Sequence, residues 1–387
     1  MSPSANAFRR ASTTPASYSI GNYDVVSKLA TGGMGEVFLA KQRGPVAFSR
    51  DVVLKKLHPS FTNDPQFVEM FVNEARLSAH LTHPNIIHIY ELFEDDGYVM
   101  AMEYVRGGTV LRLLRAAAAA GEALPYGPAV RIAIAVCEAL HHAYNVADDT
   151  GTPRRIIHRD VSPSNVLVSY DGQVKLADFG VAKALDVDAT QGTSIKGKYG
   201  YLSPEQIRCQ PLDQRSDLFS LGIILWEMTT GRALFRRDND VAMMYALVEE
   251  KVPRPSDKIA DYPADLEAVV MKALERERDN RYADALELAN ELRKIAHDHG
   301  WDIEGAALAK LVRDQVPDDQ VAFGRIGSDK FTGPNTPRPR ASESYDAVEI
   351  HTPRPRKPAS RGLLVVTTGV MIVLTIIFWL LVVPHLM

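Results

Sequence analysis

Cysteine is nearly absent: the 387-residue chain carries two, Cys137 and Cys209. Two lone thiols give neither a metal-binding spacing nor a disulfide framework, and they fit a reducing compartment. A cationic excess is missing as well. Forty-four Lys and Arg stand against 48 Asp and Glu, a net charge of −4, so no global field points to nucleic acid. The opening MSPSANAFRRASTTPASYS has no apolar run, so no secretory signal is expected there. Residues 1–22 read as a disordered polar arm. What is present is core-forming material: 46% of the residues are hydrophobic and 24% are charged, the balance of a globular protein.

Long charge-free runs are scarce until residues 362–383, GLLVVTTGVMIVLTIIFWLLVV. As a helix this run spans about 33 Å, enough to cross a bilayer core. A buried core helix is the plainer alternative, but soluble helices rarely stay uncharged all round for this length. Arg354, Arg356, Lys357 and Arg361 precede it and Pro384 to Met387 follow it. The positive-inside rule then places the bulk of the chain in the cytoplasm as a single-pass membrane protein, with the basic cluster against lipid headgroups. Residues 317–361 are rich in Pro, Ser and Arg and read as a juxtamembrane linker. Thr-Pro-Arg-Pro-Arg occurs in it twice, at 336–340 and 352–356. A stiff solvated spacer is the simpler reading of that repeat, docking or phosphorylation the sharper one.

Between residues 23 and 316 the pattern is globular. Strand-like runs come first, at YDVVSKLA, EVFLAKQ, DVVLKKL, IIHIYELFE and YVMAMEYV; helical periodicity dominates later, as in AVRIAIAVCEALHHAYNV and SLGIILWEMTTG. That order predicts an α+β fold with a sheet-rich first part and a helical second part. Ala116–Ala120 reads as a stretch of surface helix.

Several short motifs carry chemistry. LATGGMGEVFLA at 29–40 sets a Gly-rich turn between two strands, and glycines let backbone N–H groups approach phosphate oxygens. In DVVLKKL, Val53, Lys55 and Leu57 share one strand face, so Lys55 needs a buried anion unless it snorkels to the surface. PQFVEMFVNEARLSAHL at 65–81 supplies one. Glu74 falls inside the apolar stripe of Phe67, Met70, Phe71, Leu77 and Leu81, where a carboxylate costs several kcal/mol unless paired. IIHRDVSPSN at 156–165 and VKLADFG at 174–180 add Asp160, Asn165 and Asp178, an oxygen-rich set of the kind Mg²⁺ accepts. Each acid alone is more often a solvated or capping residue; the set in this order is informative.

Together these motifs resemble a Hanks-type protein kinase, most closely the bacterial membrane-associated Ser/Thr kinases. The match runs in order through TGGMGEV, VVLK, Glu74, HPNII, MEYVRGG, HRDVSPSN, DFG, SPE, DQRSDLFSLG and DNRY, about three-quarters of the chain. The resemblance implies a two-lobed kinase fold over 23–316, ATP and Mg²⁺ as cofactors, and protein hydroxyls as acceptors, the chain's own included. It implies that Ala30, Gly32, Gly33 and Gly35 lie along the phosphate loop. Lys55 would hold the α- and β-phosphates and pair with Glu74. Met102 is gatekeeper-like. The Glu103 carbonyl and the Val105 N–H would meet the adenine edge, and Val37, Val53 and Leu167 would sandwich the ring. Asp160 would act on the substrate hydroxyl, and Asn165 and Asp178 would hold the metal. Glu205 is expected to pair with Arg281, and Asp217 to brace the catalytic loop. The setting would be a bacterial inner membrane.

Three positions depart from the family pattern. Ala30 replaces the first loop glycine, Lys198 stands where Ser/Thr kinases usually have Thr, and Ser162 replaces the Lys beside the transferred phosphate. Losing one cation there costs a few kcal/mol unless another replaces it, and Lys198 is the expected substitute. The base and metal-ligand positions are all filled, which favours a working kinase. The alternative is a membrane-tethered pseudokinase scaffold, for which Ser162 and Ala30 are the arguments. Thr190, Thr193 and Ser194 are the expected phosphorylation sites of the activation segment, where added charge would meet Arg159.

Overall fold

The computed structural model describes residues 18–32, 34–45, 48–179 and 199–316. The polar arm up to residue 17, the activation-segment hydroxyls, Lys198, the linker and the apolar run 362–383 lie outside them. Among the described residues no helix is long and apolar enough to cross a membrane.

The first lobe is a six-stranded antiparallel sheet. Its strands are β1 Ser19–Ile20, β2 Tyr23–Thr31, β3 Gly35–Arg43, β4 Ser49–Leu57, β5 Ile89–Glu94 and β6 Tyr98–Glu103, in the order β1-β2-β3-β4-β6-β5. The strand-like runs of the sequence fall on β2 to β6. The sheet begins earlier than expected, because Ser19 and Ile20, inside the stretch read as arm, pair with Asp24 and Tyr23. Ile20 is buried in a cluster with Tyr23, Phe38, Val52 and Leu54, and that burial holds the short strand. Helix α1, Pro65–Ala79, packs against β5 and β6. Its start is set locally: Pro65 occupies the first helical position and the Asp64 carboxylate accepts from the Gln66 amide at 3.0 Å.

The second lobe contains β7 Gly107–Thr109, α2 Val110–Ala120, α3 Tyr126–Asn145, β8 Val166–Ser169, β9 Val174–Leu176, α4 Pro204–Ile207, α5 Gln214–Thr230, α6 Asp240–Glu249, α7 Ala264–Ala273, α8 Ala285–Asp298 and α9 Ala306–Gln315. The alanine stretch ends α2, and Gly121 closes it in the left-handed conformation. It is only partly a surface helix, since Ala117 faces the core. Helix α5 is buried from Ser216 to Thr230 on every side, which explains its lack of an amphipathic pattern. It is the central post against which α3, α7 and α8 pack. Each fully buried large side chain on it, such as Phe219 or Trp226, contributes about 1.5–3 kcal/mol.

The small sheet β7-β8-β9 lies in the second lobe, where the chain leaves the first. Gly107 is obligatory there: a Cβ would sit 2.0 Å from the Val168 carbonyl oxygen. The segment preceding β5 is laced to β9, with the Leu176 amide donating to the Asn85 carbonyl at 2.8 Å and the Ile87 amide to the Leu176 carbonyl at 3.0 Å.

Candidate active site

Lys55 extends from β4 between two carboxylates. Its Nζ lies 2.6 Å from Glu74 Oε1 and 3.0 Å from Asp178 Oδ1. Glu74 sits in the buried face of α1, where the sequence pattern placed it. Burial disfavours the Lys55 ammonium, but Asp178 and Glu74 outweigh it and hold the pKa well above the ordinary lysine value. The lysine is therefore a fixed positive charge. Asp178 holds a left-handed backbone with φ of 58°, strained for a non-glycine residue, and Phe179 behind it is buried.

The catalytic loop is braced from below. Asp217, at the start of α5, accepts from the His158 amide at 2.7 Å and the Arg159 amide at 2.8 Å. Burial pushes the Asp217 carboxyl up to about 7, against the pull of those two amides and of Arg159. Arg159 is left-handed, with φ of 64°, and the Gln206 amide group donates to its carbonyl at 2.9 Å. Asn165 donates through Nδ2 to the Asp160 carbonyl at 2.8 Å and to Asp160 Oδ2 at 3.0 Å. The Asp–Asn spacing read in the sequence thus closes a loop on itself.

Ser162 is buried, and its Oγ lies 2.9 Å from Ser164 Oγ. A neutral hydroxyl pair occupies the position where the resemblance expects a cation. Lys198, the expected substitute, lies outside the described residues.

The predicted ring-binding residues meet in one apolar cluster. Ala30, Val37, Val53 and Met102 come from the sheet, Val105 from the connection between lobes, and Leu167 and Ala177 from the second lobe. Ala30 pairs with Val37 in the β2–β3 register, and its methyl belongs to that cluster, so the departure from glycine is absorbed. Gly32 donates its amide to the Gly35 carbonyl at 2.7 Å. Gly35 has a packing reason of its own, because a Cβ would lie 2.3 Å from the Lys56 carbonyl oxygen. Gly33 lies outside the described residues. A small cavity behind Met102 is lined by Glu74, Ile87, Met100, Asp178 and Phe179.

Two features escaped the sequence reading. His158 is fully buried. It accepts at Nδ1 from the Asp160 amide at 3.2 Å, which leaves Nε2 to donate to the Ala177 carbonyl at 3.0 Å. It thus ties the catalytic loop to the residue before Asp178. Lys175, on β9, pairs with the Glu103 carboxylate at 2.9 Å, so the hinge residue is fastened by its side chain. Alternation along VKL sets Lys175 on the face opposite Val174 and Leu176, and its partner there lies on the other lobe. In the helical lobe the expected Glu205–Arg281 pair is present and bidentate, at 2.7 and 2.8 Å.

A β-rich lobe over a helical lobe, with Lys55, Glu74 and Asp178 joined across the cleft, is the architecture of a phosphotransferase of the kinase class. The comparisons carry this to the family. The protein kinase domain model matches residues 23–294, and the chain belongs to that family, with its two-lobed fold. The tyrosine-protein kinase MasK of Myxococcus xanthus is 41% identical over 315 residues, 81% of this chain and 47% of that protein. The serine/threonine-protein kinase PknB of Mycobacterium leprae is 36% identical over 290 residues, 73% of this chain and 44% of that one. Among solved structures, the PknI kinase domain of Mycobacterium tuberculosis has a TM-score of 0.54 at 28% identity, covering 72% of this chain and 98% of that chain. This chain spans less than half the length of the curated relatives it matches.

Proposed function

We propose that the protein is an active serine/threonine protein kinase that transfers the ATP γ-phosphate to protein hydroxyls, its own among them. The observation that carries the reading is the joined set Lys55–Glu74–Asp178 and Asp160–Asn165. Lys55 neutralises and holds the α- and β-phosphates. The backbone at Gly32 and Gly35 lies against the phosphate chain, and Ala30, Val37, Val53 and Leu167 enclose the adenine, whose edge meets the Glu103 carbonyl and the Val105 N–H. Asp160, oriented by Asn165, accepts the proton of the attacking hydroxyl.

Asn165 and Asp178 suit Mg²⁺. They are hard oxygen donors, two in number. That fits an ion which takes one or two protein ligands and completes its shell with phosphates and water. When bound, the ion supplies charge neutralisation at the transferring phosphate.

The Ser/Thr assignment rests on the ordered motifs and on the PknB-type relatives. A tyrosine acceptor is the second reading, favoured by the similarity to MasK. The run 362–383 anchors the chain in a bacterial inner membrane with the kinase domain in the cytoplasm. Its support is its length, its lack of charge and the basic residues before it.

The test is transfer of labelled γ-phosphate by the full chain in mild detergent with Mg²⁺, beside Asp160→Asn, followed by phosphoamino-acid analysis. Label on Ser or Thr that vanishes in Asp160→Asn supports the reading. Label on Tyr replaces the acceptor class, and bound ATP without transfer makes the chain a scaffold. Recovery of the intact chain in the soluble fraction of cells would overturn the anchor.

A further inference from the structure

The matched family model ends at residue 294, yet the chain goes on through α9 to reach the connection between the lobes. Leu308 and Val312 seat α9 in the helical core. Beyond that seat, its contacts converge on the hinge. Arg313 Nη1 donates to the Tyr170 carbonyl at 2.6 Å, and the Tyr170 hydroxyl donates to the Val316 carbonyl at 3.0 Å. The Tyr170 amide in turn donates to the Arg106 carbonyl at 3.0 Å. Val316, only 2% exposed, covers Gly108 so closely that a Cβ there would lie 3.1 Å from both valine methyl groups. Where the β8–β9 turn meets the α8–α9 connection, a Cβ on Gly172 would come within 2.2 Å of the Gly305 carbonyl oxygen, so this seat too is close-fitting.

We propose that α9 and Val316 form a strap that positions the hinge for nucleotide, with Tyr170 and Val316 as its positioning residues. The inference rests on the reading of Glu103 and Val105 as the adenine-binding edge. Arg106 follows Val105 directly, and after it come Gly107 and Gly108, which give the backbone little stiffness of its own. A segment with two consecutive glycines cannot hold the Val105 N–H in one orientation by torsional preference. The β7–β8 ladder pairs Gly107 with Ser169 and Gly108 with Val168; fixing the Arg106 carbonyl from Tyr170 and closing Gly108 from Val316 removes the freedom the ladder leaves before nucleotide arrives, and preorganisation of this kind raises affinity by lowering the ordering cost.

The experiment is a double-mutant cycle on the full chain, reading ATP affinity directly by titration with ATP and Mg²⁺, well below the melting temperature. Gly108→Ala pushes against Val316 and is expected to weaken ATP binding about tenfold; Val316→Ala, which opens the strap, weakens it about threefold; and the double variant returns to the Val316→Ala level because the clash is gone. Tyr170→Phe is expected to match Val316→Ala within about twofold. With ATP saturating, kcat stays near that of the parent in each variant, which a merely structural defect would not allow. Lys310→Ala, on the exposed side of α9, serves as the control with unchanged affinity. Unaltered affinity in Gly108→Ala, or a loss in Gly108→Ala that Val316→Ala does not relieve, overturns the strap. Failure of the parent itself to bind ATP overturns the kinase reading, and is distinguishable because it precedes any variant.

Discussion

The cleft and the helical lobe each bury a cation against carboxylate, two acids around Lys55 and one acid with backbone carbonyls around Arg281, and the two are built for different ends. Lys55 shares one ammonium between Glu74 and Asp178, with side-chain exposures of 16%, 8% and 26%. Arg281 and Glu205 are at 0% and 4%. Every arm of the Arg281 guanidinium is committed: Nε to the Glu275 carbonyl at 2.7 Å, Nη1 to Glu205 and the Arg215 carbonyl, Nη2 to Glu205 and the Arg276 carbonyl. A planar fork with all donors placed fixes three chain segments together. A point charge held by two acids from different elements can exchange one of them for phosphate. Similar chemistry gives a closed pair in one place and an exchangeable charge in the other, and the number and direction of donors make the difference.

Breaking the closed pair is expected to have the largest effect on stability. Arg281→Met leaves Glu205 buried without its partner and should cost about 3–5 kcal/mol, read as a lowered midpoint in urea unfolding. The same comparison predicts that Lys55→Met keeps the melting temperature near that of the parent. Its transfer rate should fall by about 10²–10³, as expected for loss of a charge aimed at the reacting phosphates. If Lys55→Met unfolded the chain instead, the two pairs would be alike and the contrast would fail.

A smaller effect sharpens the comparison through pH. Glu227, on α5, is buried like Glu205 but pairs with no cation among the described residues; it accepts from the Tyr201 hydroxyl at 2.7 Å and the Leu234 amide at 3.0 Å. Burial outweighs those bonds and raises its carboxyl from 4.5 to about 7. The folded state therefore binds this proton more tightly than the unfolded chain. The stability so gained is full below pH 4.5 and is lost as pH rises through about 7. Glu227→Gln should remove that loss, with a gain over the parent of about 2 kcal/mol at pH 8 and little difference at pH 4. The Tyr201 hydroxyl can turn to accept from the new amide. Glu205 behaves oppositely. Burial would raise it, but Arg281 and the Ser216 hydroxyl outweigh burial and lower its pKa, so its contribution is present above the ordinary glutamate range and lost on acidification. Parallel pH profiles for Glu205→Gln and Glu227→Gln would contradict both assignments.

Much of the site was legible because its parts are local. The strand period set Lys55 beside Val53 and Leu57, the helical period set Glu74 among apolar neighbours, and Asp160 and Asn165 lie close enough in sequence to bond. The Asp217 brace and the Glu205–Arg281 pair were legible only through resemblance, since 59 and 76 residues separate the partners. Ser162 was recognisable as a departure, but nothing local showed that Ser164 would meet it.

The sequence by itself determined the two-part α+β order, the placement of strands β2 to β6, the buried charges that had to be paired, and the ordered motifs that define the family. Periodicity and residue chemistry act over a few positions, so they survive in a linear reading. The tertiary structure alone decided the partners of Lys175 and His158 and what holds the hinge. Lys175 finds Glu103, His158 joins the catalytic loop to Ala177, and Val316 closes over Gly108 from more than two hundred residues away. Those choices belong to packing, where close approach between distant segments is settled by shape and by the need to satisfy every buried polar group.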